Sequence, residues 1–171
     1  MAHYSPGQKP SVLMSSAAEE ASALVNHFGP LLAGEDCETH IMLVYAGMSG
    51  VACATALALA CFQQTGEQVE MAYVRKDGEY SHGSAVESEV EWNMRKGFDA
   101  ARRYTLVFVD DFISSGKTAA RCFEKAMATF KTYDTAYICQ FNAGYTGLRV
   151  GSLQEMLSDE DSCRNSRTCL V

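Results

Sequence analysis

Nowhere does this 171-residue chain hold an apolar run of the roughly 18 residues that a membrane-spanning helix needs, so no transmembrane segment is expected. The stretch Met1 to Pro10 lacks the charged-then-apolar pattern of a secretory leader. Basic charge is scarce as well. Lys and Arg number 14 against 21 Asp and Glu, a formal net charge of -7, and the basic clusters are pairs such as Arg75-Lys76, Arg95-Lys96 and Arg102-Arg103. That balance repels nucleic acid. The seven cysteines include no Cys-x-x-Cys pair and no zinc-ligand spacing, so most read as buried small hydrophobes. Cys169 stands one residue too late for a prenylation box. Internal repeats and low-complexity tracts are missing too. What these absences leave is a soluble, reduced, cytoplasmic protein, and 47% hydrophobic with 20% charged residues suits one domain spanning residues 1–171.

What is present alternates between helix and strand patterns. Ser16-Ala17-Ala18-Glu19 has the form of a capping box, and Ala21, Leu24, Val25, Phe28 and Leu32 follow at helical spacing, which predicts a first helix from near Ser16 that stops or bends at Pro30. Ile41 to Ala46 reads as a strand, Gly47-Met48-Ser49-Gly50 as a loop and Val51 to Phe62 as a buried helix. A second strand is predicted over Val69 to Val74, then an exposed loop over Arg75 to Gly83. Val86, Ser88, Val90, Trp92 and Met94 make a mostly apolar side that alternates with Glu87, Glu89, Glu91, Asn93 and Arg95, which suits a half-exposed strand; a helix starting at Ser84 with Glu87 as capping partner competes.

Tyr104 to Val109 is the strongest strand pattern and runs straight into Asp110 and Asp111. The helix after it is predicted to bury Ala120, Phe123, Ala126, Met127 and Phe130, with Arg121, Glu124 and Lys125 on its polar face. Tyr133 to Phe141 reads as the last strand, and Gly144 to Val171 as a polar tail with an acidic Ser158-Asp159-Glu160-Asp161. This alternation predicts an α/β fold, a mostly parallel sheet flanked by helices, in which ligands bind beyond the carboxyl ends of strands. The two glycine-containing strand-to-helix loops lie at such ends and are candidate halves of one site.

Small residues from Ser114 to Thr118 leading into a helix leave backbone amides free and aim the positive end of the helix dipole at one spot, where a phosphate fits. Ser114, Ser115 and Thr118 add hydroxyl donors, and Gly116 permits close approach. Upstream, the Asp110 and Asp111 carboxylates can accept hydrogen bonds from a sugar diol or hold a metal-bound water. Taken alone, the acids could instead form a turn and Ser115 cap a helix. Gly116-Lys117-Thr118 also ends like a nucleotide-triphosphate P-loop, but that motif's first glycine should stand where the chain has Asp111.

As a whole, Val109-Asp110-Asp111-Phe112-Ile113-Ser114-Ser115-Gly116-Lys117-Thr118 resembles the phosphoribosyl pyrophosphate signature of type I phosphoribosyltransferases. The resemblance implies a phosphoribosyltransferase-like fold with a small hood loop over residues 75–97 and a tail over 150–171. It assigns the ribose 2- and 3-hydroxyls to Asp110 and Asp111 and the 5-phosphate to the turn Ser114, Ser115, Gly116, Lys117 and Thr118. Ala46-Gly47-Met48-Ser49-Gly50 resembles the family's pyrophosphate loop, and Tyr73-Val74-Arg75-Lys76-Asp77-Gly78-Glu79 resembles the Arg-Lys entrance to the hood of adenine and orotate enzymes. Two adjacent cations suit a pyrophosphate.

The chain also departs from that pattern. Orotate enzymes continue with Lys-Asp-His-Gly where this chain has Tyr80-Ser81-His82-Gly83, so His82 is kept as a pyrophosphate contact while the lysine and aspartate are lost. Lys117 is closer to the hypoxanthine-guanine branch, whose purine-reading residues find no match near Tyr137 to Tyr145. The activity that the resemblance implies is transfer of a 5-phosphoribosyl group to a nucleobase with release of pyrophosphate. Asp110, Asp111, Arg75 and Lys76 would be the catalytic residues and Mg2+ the cofactor, held through substrate oxygens and water. Phosphoribosyl pyrophosphate and a nucleobase or nucleotide would be the partners, and the protein a homodimer. A non-catalytic regulator and a hydrolase on the same fold are the alternatives.

Overall fold

The computed structural model describes residues 10–32, 39–79, 84–96, 103–111, 116–140 and 149–151. In chain order the elements are α1 (Pro10–Leu32), β1 (Thr39–Tyr45), α2 (Gly47–Thr65), β2 (Glu70–Val74), β3 (Val86–Glu87), α3 (Glu89–Arg95), β4 (Arg103–Asp110), α4 (Lys117–Thr129), β5 (Thr132–Gln140) and β6 (Arg149–Gly151). The strands form one sheet in the order β3-β2-β1-β4-β5-β6. β2, β1, β4 and β5 run parallel, and the short β3 and β6 close the two edges antiparallel. This is the α/β arrangement that the alternating pattern predicts. No described helix is long and apolar enough to cross a membrane.

Side-chain alternation along β1 and β4 builds two cores. Ile41, Leu43, Val107 and Val109 point to the face covered by α1 and α2, where Ala21, Leu24, Cys53, Leu57 and Cys61 are fully buried. Met42, Val44, Leu106 and Phe108 point the opposite way, onto Cys122, Phe123 and Ala126 of α4. Burying a side chain of this size stabilises the fold by roughly 2 kcal/mol over leaving it in water. The second core also takes in Val74 of β2, Val86 of β3 and Val90 of α3, which fixes β3 and α3 against the α4 side of the sheet.

Six local expectations change. Helix α1 begins at Pro10, six residues before the expected capping box, because a proline in the first turn loses no intrahelical hydrogen bond. It continues through Pro30 to Leu32, where the proline removes one bond near the end without stopping the helix. Residues 47–50 are not a loop but the first turn of α2, capped by an extended Ala46. The predicted strand over 86–94 is two residues of β3 followed by α3, whose cap is Ser88, accepting from Glu91 N at 2.8 Å, and not Ser84. Val90 and Met94 are four apart, a spacing that satisfies both a two-residue and a helical period, so the alternation misled.

On α4, Met127 is 53% exposed, while Ala119 and Cys122 are buried in its place. The buried set 119, 122, 123, 126 and 130 keeps to the helical period more closely than the expected one. Finally, β5 is not the last strand. Arg149–Gly151, expected within the polar tail, pairs with it as β6.

Candidate functional site

The chain leaves β1 by α2 on one face of the sheet and leaves β4 by α4 on the other. Since β1 and β4 are adjacent and parallel, the crevice beyond their carboxyl ends is a topological switch point, the position where open α/β sheets bind ligands. Tyr45 is level with Val109 across this pair, so the first turn of α2 and the acidic pair emerge side by side. That register brings them into contact. Ser49 Oγ donates to Asp110 Oδ1 at 3.1 Å, and the Asp111 amide donates to the same oxygen at 2.9 Å.

The approach is close. A Cβ on Gly50 would lie 3.3 Å from Tyr45 Cβ and 3.4 Å from the Val109 carbonyl oxygen, tighter than side chains ordinarily pack. Gly47 has φ 71° and Gly116, the N-cap of α4, has φ 65°. The N-cap residues Ala46 and Gly116 give no side-chain cap, so among the described residues no cap side chain takes the first-turn amides of α2 and α4. Two helix N-termini of positive partial charge thus flank two carboxylates.

Burial, above all, pushes the Asp110 carboxyl up to about 7, and the neighbouring Asp111 adds to the rise; the Asp111 amide and Ser49 hydrogen bonds pull the other way. Beneath the acids, Cys53 is pushed up to about 12 by burial and then by the charges of Asp111 and Asp110, which makes it an inert thiol. Cys61 and Cys122 are likewise buried and free.

At the α4 end, Lys117 and Thr118 are exposed on the first turn beside a buried Gly116. Ser114 and Ser115 lie outside the described residues, as does His82 of the hood.

Arg75 and Lys76 come directly after β2 but differ in situation. The Arg75 guanidinium pairs with Glu87, and its main-chain amide donates to Ala85 O at 3.0 Å. Its Nε is buried without a partner among the described residues, and its guanidinium carbon stands 5.9 Å from the centre of the Tyr73 ring. Tyr73 in turn packs 5.9 Å from Tyr45, the last residue of β1. Lys76 is exposed. Sequence reasoning missed Glu87, which meets Arg75 only because β2 and β3 pair antiparallel. It also missed Lys125 of α4, whose Nζ donates to Arg75 O at 3.0 Å across 50 residues of chain. No local pattern signals either contact.

No protein-family model matches the sequence, and no curated protein matches it. Solved structures do. The orotate phosphoribosyltransferase of Francisella tularensis superposes with a TM-score of 0.53 at 11% identity, over 90% of this chain and 64% of that one. The hypoxanthine phosphoribosyltransferase of Trypanosoma cruzi gives 0.51 at 9% identity over 76% and 66%. The HGPRT-ase of Leishmania tarentolae, solved with GMP, gives 0.52 at 11% over 76% and 65%. The fold is that of the phosphoribosyltransferases. The matched region spans less than two thirds of each of these relatives.

Proposed function

We propose that the chain binds 5-phosphoribosyl pyrophosphate and transfers its phosphoribosyl group to a nitrogen of a nucleobase, releasing pyrophosphate. The observation that carries this reading is the Ser49–Asp110 hydrogen bond, which joins the turn after β1 to the acids after β4 across the switch point. On this reading the ribose hydroxyls donate to Asp110 and Asp111. The 5-phosphate takes amides at the start of α4 with Ser114, Ser115, Gly116, Lys117 and Thr118, and the diphosphate takes the turn Ala46, Gly47, Met48, Ser49 and Gly50 with Arg75, Lys76 and His82.

Departure of the leaving group builds positive charge on the sugar ring, and carboxylates close by at Asp110 and Asp111 favour that charge more than they favour the ground state. The cations of the hood entrance and the uncapped amides of α2 oppose the negative charge that builds on pyrophosphate. Closure of the hood would keep water from replacing the acceptor. Asp110 and Asp111 offer adjacent hard carboxylate oxygens, a donor set that would fit a magnesium ion completed by ligand oxygens and water. Such an ion would supply charge neutralisation on the departing diphosphate. The reading includes a homodimer in the reducing cytoplasm.

A second reading has its own support: with Arg75 already paired to Glu87, a binding protein that senses phosphoribosyl pyrophosphate without turning it over uses the same site. One assay separates the two. The protein is incubated with phosphoribosyl pyrophosphate, magnesium and a panel of purine and pyrimidine bases, and pyrophosphate and new nucleotide are measured over time. Release that depends on a base supports the transferase, release without one supports a hydrolase, and saturable binding without turnover supports the sensor. Binding and turnover left intact by combined Asp110→Asn and Asp111→Asn would overturn the site.

A further inference from the structure

Lys125 belongs to no motif, yet it joins the two ends of the candidate site. It lies on α4 about two turns beyond Lys117, with its side chain 19% exposed. Besides its bond to Arg75 O at 3.0 Å, its Nζ pairs with Asp77 Oδ1 at 2.7 Å. That hydrogen bond holds the Asp77 carboxyl below its usual range. Residues 75 and 77 straddle Lys76, and the turn they belong to is closed by Glu79 N donating to Lys76 O at 3.1 Å. The segment 75–79 therefore hangs from α4 by one ammonium, while β3 holds Arg75 from the other side.

The geometry points to Lys125 as a positioning residue that sets the separation between the 5-phosphate end and the pyrophosphate end of a bound phosphoribosyl pyrophosphate. This rests on the function proposed above. Helix α4 is a rigid spacer: its first turn carries Gly116 to Thr118, and a rise of about 1.5 Å per residue fixes where the ammonium stands relative to that turn. A charged donor shared by a carbonyl and a carboxylate makes hydrogen bonds of the stronger class, so the main chain on both sides of Lys76 is held to the same helix that begins at the phosphate turn. A ligand confined to the phosphate end does not sense this link. A ligand that spans both ends does.

The test is titration calorimetry on the full chain with magnesium, using ribose 5-phosphate and phosphoribosyl pyrophosphate as probes, for the native protein, Lys125→Met and Lys125→Arg. Lys125→Met is expected to weaken phosphoribosyl pyrophosphate by about tenfold or more, since small misplacements of a binding group have effects of that order. Ribose 5-phosphate should change by less than about twofold, and Lys125→Arg should recover most of the loss. Equal weakening of both ligands, or no change in either, overturns the role. Should Lys125→Met fail to fold, Asp77→Asn at an exposed position removes half of the link, and a selective loss of about threefold is expected. An unchanged ratio of the two affinities in that variant is equally fatal. Native protein that binds neither probe sinks the ribose-phosphate reading itself, a result distinct from any Lys125 outcome.

Discussion

Arg75 and Glu87 form an ion pair beside the β2–β3 ladder, with the Arg75 guanidinium near the ring of Tyr73, the residue that Glu87 faces in register. On the proposed function, Glu87 occupies the cation that the diphosphate would use. Glu87→Gln should therefore tighten inorganic pyrophosphate binding by about two- to fivefold, the range expected for a partly exposed ion pair. Titration of both proteins with pyrophosphate checks this, and weaker binding by the variant would mean that Glu87 orients Arg75 instead of competing for it.

Gly50 of α2 lies close to the end of β4, where an added Cβ would stand 3.4 Å from the Val109 carbonyl oxygen. Gly50→Ala should lower stability by about 1–3 kcal/mol, because the obstructing atoms are Tyr45 Cβ and the Val109 carbonyl, neither of which can swing away. Gly29→Ala, where an added Cβ meets nothing within 4 Å, is the helical control and should be neutral or stabilising by up to about 1 kcal/mol. Thermal unfolding of the two variants side by side decides the matter; equal effects would contradict the close approach.

Burial pushes the Asp110 carboxyl up to about 7 from its ordinary value of 3.8. Its folded value is raised, so the folded state holds the extra proton between these limits. The associated stability is fully present below about pH 4 and is lost as pH rises through about 7. Asp110→Asn removes this dependence. The difference in melting temperature, variant minus native, should therefore increase as pH rises across that window and level off above it. A difference that stays flat with pH would show that Asp110 is ionised throughout.

Ser88 caps α3 through the Glu91 amide at 2.8 Å. Ser88→Ala should cost about 1 kcal/mol, and faster hydrogen exchange of amides in 89–95 than in β4 would locate the loss in α3. Uniform acceleration over the whole chain would argue that α3 has no independent stability.

The parallel sheet was legible because buried strands leave local patterns: Tyr104 to Val109 is continuous in hydrophobicity, and Gly47 marks the end of β1, although the residues expected as a loop there open α2. The hood was harder. Val86 to Met94 fits two periods at once, and the Ser88 cap that decides between them competes with an equally good serine at 84. Glu87 and Lys125 carry no local signal as partners of Arg75, because one pairing depends on the β2–β3 ladder and the other on where α4 crosses the sheet. Long-range polar contacts of this kind are consequences of the fold, not causes visible in the chain.

The adjacency of β1 and β4 has a wider consequence. Hydrogen-bonded strands lie about 4.8 Å apart whatever side chains they bear, so the two turns leaving them keep a spacing dictated by main chain alone. Substitution along either strand alters packing but not that interval. A fold whose spacings are written in peptide geometry can therefore be shared at 11% identity, as it is with the Francisella structure.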